Sequence, residues 1–343
     1  MAPVTVAAVQ IASVAYDLEQ SLVKLEEYCR QAAATGARLA VFPEAYLSAY
    51  PRHLDFRIGA RTEENRAWYR RYVESSVKIP DGVEGVDWLA TDAAGAVKAD
   101  SEFDAFKRIL RAAKENKLNI SLGIIERSLL GATLWCTNLL ISDRGILLGK
   151  HRKLTPTAAE RVVWSGSSAT NPSAYLDSGV ASTDNLPVVS TSVGRVGGVI
   201  CWEHFVPLQR YALYRKGVEI WTAPTADSRP TWAPAMQFIA QEGRMFVISA
   251  NQYHKATDFP SDYPPRLARA AAGEPEDEVW SRGGSVIVNP LGEILAGPLW
   301  DSEGILTAEI DTDDIFGFKL DMDCAGSAHY SREHDVFRFE VRT

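Results

Sequence analysis

Cysteine is scarce and dispersed. Cys29, Cys136, Cys201 and Cys324 are the four in 343 residues, and no two form a CxxC pair. That spacing argues against a zinc ribbon and against a disulfide framework, which a chain able to bury a large core does not need. A reducing, cytoplasmic compartment is the expectation, and there a lone thiol stays free to act as a nucleophile. The histidines at 53, 151, 204, 254, 329 and 334 form no HExxH and no close ligand pair, so a catalytic zinc is not expected. No GxGxxG or GxxxxGK[ST] segment occurs, and no cofactor is expected. No apolar run reaches the roughly 18–20 residues that span a bilayer. The first residues, MAPVTVAAVQIASVAYD, are apolar but lack a basic n-region, so they read as a first strand rather than a signal peptide. Basic residues are outnumbered, 36 against 44, for a net charge of −8, with no long Lys/Arg run. Neither nucleic acid nor membrane is an expected partner.

What remains is the composition of a packed protein, 46% hydrophobic and 23% charged, long enough for one large α/β domain or two smaller ones. Short apolar runs alternate with amphipathic stretches. Residues 4–11 read as a strand, and Asp17 as the N-cap of a helix carrying Leu22, Leu25, Cys29 and Ala32 at helical spacing. A buried strand over 39–42 follows. Residues 51–100 look irregular, with RTEENRAWYRRY as a surface helix or insertion. Ser101 and Asp104 resemble a capping box for a helix with Phe103, Phe106, Leu110 and Ala113 on one face. Strands are expected over 120–125, 137–142 and 146–150. The second half repeats the grammar, with strands over 195–200, 218–223, 246–250, 285–288 and 293–296 and helices over 207–216 and 233–243. LLISDRGILLG (139–149) and VIVNPLGEILA (286–296) match as strand, polar turn with Gly, strand, which suggests equivalent hairpins in two related halves. Residues 254–282 read as a long loop, and the chain from 312 onward as an extended arm. The class implied is α/β, with helices covering the sheets.

Three residues follow three different strands. Cys201 lies between the apolar run GRVGGVI and a helix opened by Pro207, where α/β sites form and helix N–H groups favour a thiolate. A buried structural cysteine suits the same position. Glu44 ends LAVF inside FPEAYLSAYPR, where burial raises a carboxyl toward general-base strength; a polar residue entering a loop is the plainer reading. Lys153 follows ILLGK in GKHRKLTPTAAER, and with Lys150 and Arg152 could equally be a solvated cluster. Together they place a carboxylate, an ammonium and a thiol along one sheet edge. His204 beside Cys201 suits packing or hydrogen bonding better than catalysis. Tyr46, Tyr50, Trp202 and Trp232 suit a pocket wall or the core.

The segments FPEAYLSAYP, HRKLTPTAAERVVW, GGVICWEHFVPLQRYALYRKGVEIWTAPTADSRPTW and EGRMFVISANQ, in this order, resemble the nitrilase family of carbon–nitrogen hydrolases over about residues 4–310. CWE with the following PL and a KG-ended helix, together with RKLTPT, carry the likeness, and TADSRPTW aligns it with nitrilases more than with amidases or carbamoylases. The resemblance implies a four-layer αββα sandwich of two related halves. It implies a single domain over 1–311 and a C-terminal extension over 312–343 that serves as an oligomerisation arm. It implies Glu44 as base, Lys153 as the stabilising cation, Cys201 as nucleophile and Glu160 as a second glutamate of the site, with Trp202 offering its backbone N–H rather than its indole. The implied substrate is a small-molecule nitrile, and the implied assembly a homo-oligomer, from a dimer up to a spiral or filament. An amidase using the same residues and a catalytically silent binding or filament-forming protein are the rival readings. The sequence departs from the family after Trp164, where SGSSATNPSAYLDSG replaces a stretch containing GDGS.

Overall fold

Successive side chains of a strand face opposite ways, and here that alternation sorts the chain into layers. A computed structural model describes residues 2–56, 59–93, 101–167, 184–326, 330–333 and 335–341. In β1 (Val4–Gln10), Val6 and Ala8 enter a core between two sheets, while Ala7 and Val9 enter a core beneath helices. That second core receives the apolar face of α1 (Leu18–Ala34), namely Leu22, Leu25, Cys29 and Ala32. Burying each leucine stabilises the fold by roughly 1.5–3 kcal/mol relative to exposure. Asp17 caps α1 by accepting the Gln20 N–H at 3.0 Å, as expected of a short acidic side chain before a periodic run.

After β2 (Ala37–Val41), the segment expected to be irregular contains α2 (Glu63–Glu74) and α3 (Trp88–Ala93). α2 is no mere surface helix, because Trp68 and Tyr72 are buried in the aromatic cluster behind Cys201. The next helix, α4 (Asp104–Asn116), starts after a 3-10 turn over Ser101–Phe103, and its N-cap Phe103 makes no side-chain cap bond. The N-cap is thus Phe103 and not Ser101 as expected. Tertiary packing sets this start, since the Phe103 ring meets Trp88 edge-on at 5.7 Å. β3 (Asn119–Arg127), β4 (Leu134–Ile141) and β5 (Leu147–Arg152) complete the first half.

The second half opens with β6 (Val188–Thr191) and β7 (Gly194–Gly198), then α5 (Pro207–Arg215), β8 (Ile220–Pro224), α6 (Trp232–Gly243) and β9 (Phe246–Ala250). Residues 254–282, expected as a loop, hold the end of β10 (Tyr253–Lys255), α7 (Pro264–Ala271) and the start of β11 (Val279–Val288). Their proline and charge density hid a proline-initiated helix, with Pro264 and Pro265 where no amide partner is needed. β12 (Ile294–Trp300) and β13 (Gly304–Ile310) follow.

The sheet orders are β13-β1-β2-β3-β4-β5 and β10-β11-β9-β8-β7-β6, with β12 on β11. Within them, β1, β2 and β3 run parallel, and β4 and β5 are antiparallel additions. β7, β8, β9, β11 and β12 repeat the pattern, each half carrying a helix after its first and second parallel strands. The two matching hairpins close alike: Gly145 N–H donates to Ser142 O and Gly292 N–H to Asn289 O, each at 2.9 Å. The sandwich of two related halves is thus formed as expected. β13 returns to pair antiparallel with β1, from Val4↔Ile310 to Gln10↔Gly304, and ties the last strand to the first.

Past β13 the chain is only partly an extended arm. It makes α8 (Asp314–Phe318), with Ile315 in the inter-sheet core, and later lays Phe339 on the Tyr211 ring at 5.0 Å. Phe316 and Phe337 stay 73% and 62% exposed.

Candidate active site

Glu44 follows β2 and is wholly buried. Its segment crosses β3 at Gly123, where a Cβ would lie 2.1 Å from Pro43 O and 2.7 Å from Glu44 Cα. Only glycine permits that approach. From the other side, Gln252 Nε2 donates to Glu44 O at 2.7 Å. Lys153 follows β5, and its N–H donates to Cys136 O at 2.8 Å. Its fully buried ammonium reaches Glu44 Oε1 at 2.6 Å and Glu160 Oε2 at 2.8 Å. Lys153 is therefore turned inward and is not part of a solvated cluster. Lys150 and Arg152 are buried too, on Glu126 at 2.7 and 2.6 Å. Glu160 belongs to a 3-10 turn, Ala158–Val162. Its Oε2 also accepts the Thr157 N–H at 2.6 Å, and its Oε1 accepts the Tyr50 hydroxyl at 3.0 Å.

Cys201 opens the 3-10 turn that follows β7, and here the backbone is tight. A Cβ on Gly198 would sit 2.0 Å from Thr222 O of β8. Cys201 itself takes φ +51°, a left-handed conformation uncommon outside glycine and asparagine, which concentrates at functional turns. Its Sγ accepts the Thr225 hydroxyl at 3.2 Å. A five-residue 3-10 turn, Cys201–Phe205, separates it from α5, so Cys201 does not sit on that helix's N-terminus as the sequence suggested.

The electrostatics follow from burial and from two carboxylates around one ammonium. Burial pushes the Glu44 carboxyl up, against the pull of Lys153. Burial alone would lower Lys153, but Glu44 and the other acidic groups outweigh it and hold the ammonium well above the ordinary lysine range. Burial, then Glu44, push the Cys201 thiol up, with Lys153 opposing. Burial therefore favours a protonated thiol, Lys153 keeps its charge, and the Glu44 carboxyl is made more basic than an ordinary glutamate. Its Oε2 has no hydrogen-bond partner among the described residues, while its Oε1 also receives the Cys136 thiol at 3.5 Å.

A cavity of about 260 Å³ opens onto Cys201, with Tyr50, Glu160, Trp202 and Ala226 in its walls. The Trp202 indole donates to Asp227 Oδ2 at 2.9 Å and lies beneath the Arg229 guanidinium at 4.7 Å, so its ring is part of the rim. Tyr46 and Trp232 belong to the core, bonded to Ser21 O and Ser249 Oγ. Among the described residues no group of three or more His, Cys, Asp or Glu is placed to hold a metal.

The carbon–nitrogen hydrolase family profile matches residues 5–319. An aliphatic nitrilase of Sinorhizobium fredii (strain HH103) is 41% identical over 337 residues, which span 98% of this chain and 94% of that one. An arylacetonitrilase of Trametes versicolor is 40% identical over 338 residues, 97% and 95% of the two chains. The chain belongs to the carbon–nitrogen hydrolase family. In fold it is similar to Saccharomyces cerevisiae Nit3, a member of branch 10 of the nitrilase superfamily, with a TM-score of 0.66 at 17% identity over 95% of this chain and 96% of that one.

The fold of this carbon–nitrogen hydrolase brings the strand-end residues Glu44, Lys153 and Cys201 to one place, and sets Glu160, which the resemblance alone implied, on the Lys153 ammonium. His204 packs as expected, its Nδ1–H on Cys201 O at 2.6 Å and its Nε2 accepting the Trp221 indole at 2.8 Å. Burial pushes it down to about 4, so it stays neutral. Sequence reasoning missed Thr225, Cys136 and Gln252, whose roles arise from contacts between distant strands. It also gave Glu203 of the CWE triplet no role. The departure from GDGS falls largely on residues 168–183, outside the described residues.

Proposed function

We propose that this carbon–nitrogen hydrolase converts an organic nitrile to the carboxylic acid and ammonia, with Cys201 as nucleophile, Glu44 as general base, Lys153 as electrostatic partner and Glu160 in support. One observation carries the assignment: a fully buried ammonium lies between two carboxylates, Glu44 and Glu160, and Glu160 shares the walls of the cavity that opens onto the Cys201 thiol. Glu44 takes the Cys201 proton as sulfur attacks the nitrile carbon, giving a thioimidate. Lys153 and the Trp202 backbone N–H stabilise charge growing on nitrogen, and Lys153 helps protonate it. Water adds, ammonia leaves and a thioester remains. A second water, deprotonated by Glu44, releases the acid and regenerates the thiol. All four cysteines are free, and a mechanism resting on a free thiol suits the reducing cytoplasm. Ammonia and acid release across aliphatic, aryl and arylaceto nitriles, with the matching amides as controls, tests this function. Turnover of amides but of no nitrile would replace it with an amidase.

Glu160 cannot take the base's place, because its oxygens are engaged by Lys153, Thr157 and Tyr50. Its expected role is to hold the ammonium. Glu160→Gln should therefore lower kcat by about tenfold to a hundredfold, as for a lost charge-assisted contact, without unfolding. Normal kcat with a lowered melting midpoint would make Glu160 purely structural.

A homo-oligomer is the proposed assembly, with the chain past 311 as its arm. Phe316, Leu320 and Phe337 leave large apolar side chains in water on that segment, and covering them on a second copy would recover roughly 25 cal/mol per Å². Phe316→Ser with Phe337→Ser spares the Phe339 contact with Tyr211. The pair should lower the assembly mass measured by light scattering. An unchanged mass removes the segment from the interface.

A further inference from the structure

Glu203 is fully buried in the 3-10 turn that Cys201 opens, and faces the segment that carries Lys153. Its Oε1 accepts the backbone N–H of Leu154 at 2.7 Å and of Thr155 at 3.3 Å, the two residues after Lys153. Its Oε2 accepts the N–H of Ile200, the residue before Cys201, at 3.0 Å. The same oxygen meets His151 Nε2 at 2.8 Å, two residues ahead of Lys153. His151 Nδ1 lies 2.6 Å from Asn185 O. A carbonyl and a carboxylate are both acceptors, so both ring nitrogens donate and the imidazole is the cation. Asn185 in turn brackets Arg152, accepting its N–H at 2.7 Å and donating to its carbonyl at 2.9 Å. One carboxylate thus gathers two loops and the strand end between them.

We propose that Glu203, held by His151, is a positioning residue that fixes the reach of Lys153 toward Cys201. The proposal rests on the reading in which Cys201 is the nucleophile and Lys153 its charged partner. Glu44 and Glu160 grip the ammonium itself, but Glu203 bonds the backbone on both sides of the gap. A carboxylate is the group that can do this, because every partner it meets is a donor. An amide of the same size would present its NH₂ either to the Leu154 and Thr155 N–H groups or to the Ile200 N–H and the imidazolium, and push the loops apart. Displacements of about 1 Å cost on the order of a hundredfold in rate when a reaction depends on alignment.

The test is Glu203→Gln in the full-length chain, assayed well below its melting midpoint with a nitrile the wild type hydrolyses. Expected are a fall in kcat of about a hundredfold, a KM within about threefold of wild type, and a parallel fall in the rate at which iodoacetamide alkylates Cys201. His151→Gln keeps a donor but removes the cation, and should lose about tenfold by the same measures. It decides the matter if Glu203→Gln does not fold. A folded variant that keeps kcat and alkylation rate within about twofold of wild type, whatever its melting midpoint, overturns the proposal. Peptide mapping of the alkylated wild type separates the two readings. Label on Cys29, Cys136 or Cys324 in place of Cys201 removes the nucleophile assignment itself, whereas label on Cys201 with unaltered variants removes only Glu203.

Discussion

Cys201→Ala is expected to abolish turnover while leaving the fold intact. The substitution deletes the atom on which the thioimidate and thioester form, and no neighbouring group can replace it. Cys136 is the other thiol beside Glu44, but its Sγ donates to the same Oε1 that Lys153 holds, it is fully buried and it is absent from the walls of the cavity at Cys201. The structural cost is small. Alanine keeps the Cβ and the turn, and the thiol's loss leaves the Thr225 hydroxyl without its sulfur acceptor, a neutral bond worth about 0.5–1.5 kcal/mol. The melting midpoint should fall by a few degrees at most. Mass spectrometry of the wild type with a slow nitrile should find the covalent adduct on Cys201 and none in the variant. Residual turnover by Cys201→Ala above about one part in a thousand, or an adduct that persists in it, would falsify the assignment.

How far the sequence discloses this site depends on whether a signal is local. The alternation in β1 and the helical spacing of Leu22, Leu25, Cys29 and Ala32 state their burial directly, because local period fixes which face is covered. The repeated hairpins are legible for the same reason: Ser142 with Gly145 and Asn289 with Gly292 close equivalent turns within a few residues. Glu44, Lys153 and Cys201 are legible as residues after apolar strands, and the sandwich carries those strand ends to one place. What fails is what tertiary packing decides. Phe103 stands at the N-cap of α4, where its ring meets Trp88, and no local pattern announces that contact. α7 sits in a proline-rich stretch whose composition resembles a loop. Thr225 and Gln252 meet Cys201 and Glu44 across 24 and 208 residues of sequence. Glu203 is adjacent to the nucleophile in sequence, yet its partners Leu154 and His151 are about fifty positions away, and no local period encodes such a bridge.

Glu44→Gln and Lys153→Met carry the next largest effects, and they should differ in their pH dependence. Glutamine keeps the size of Glu44 but cannot accept the thiol proton, so kcat should fall by about 10²–10⁴-fold, which is about 2.7–5.4 kcal/mol of barrier. The sign of the wild-type acid limb follows from the site's electrostatics. Burial raises the Glu44 carboxyl, and the base works only when deprotonated. Wild-type kcat/KM should therefore fall as pH drops through a value above the ordinary glutamate range of about 4.3. Glu44→Gln should lose that limb together with the rate. Lys153→Met removes the charge while filling the space, and leaves two buried carboxylates, Glu44 and Glu160, without the cation between them. With Lys153 gone, the main opposition to the burial and mutual repulsion that raise Glu44 is lost, so the acid limb should move to higher pH. The loss in kcat should be of the same order, about 10²–10⁴-fold, because the charge growing on the nitrile nitrogen loses its counter-ion. Full pH profiles of both variants, with circular dichroism to certify folding, decide the roles. A Glu44→Gln protein that retains the acid limb at near wild-type kcat would assign the proton transfer elsewhere, and a Lys153→Met limb shifted to lower pH would contradict a cation held between two carboxylates.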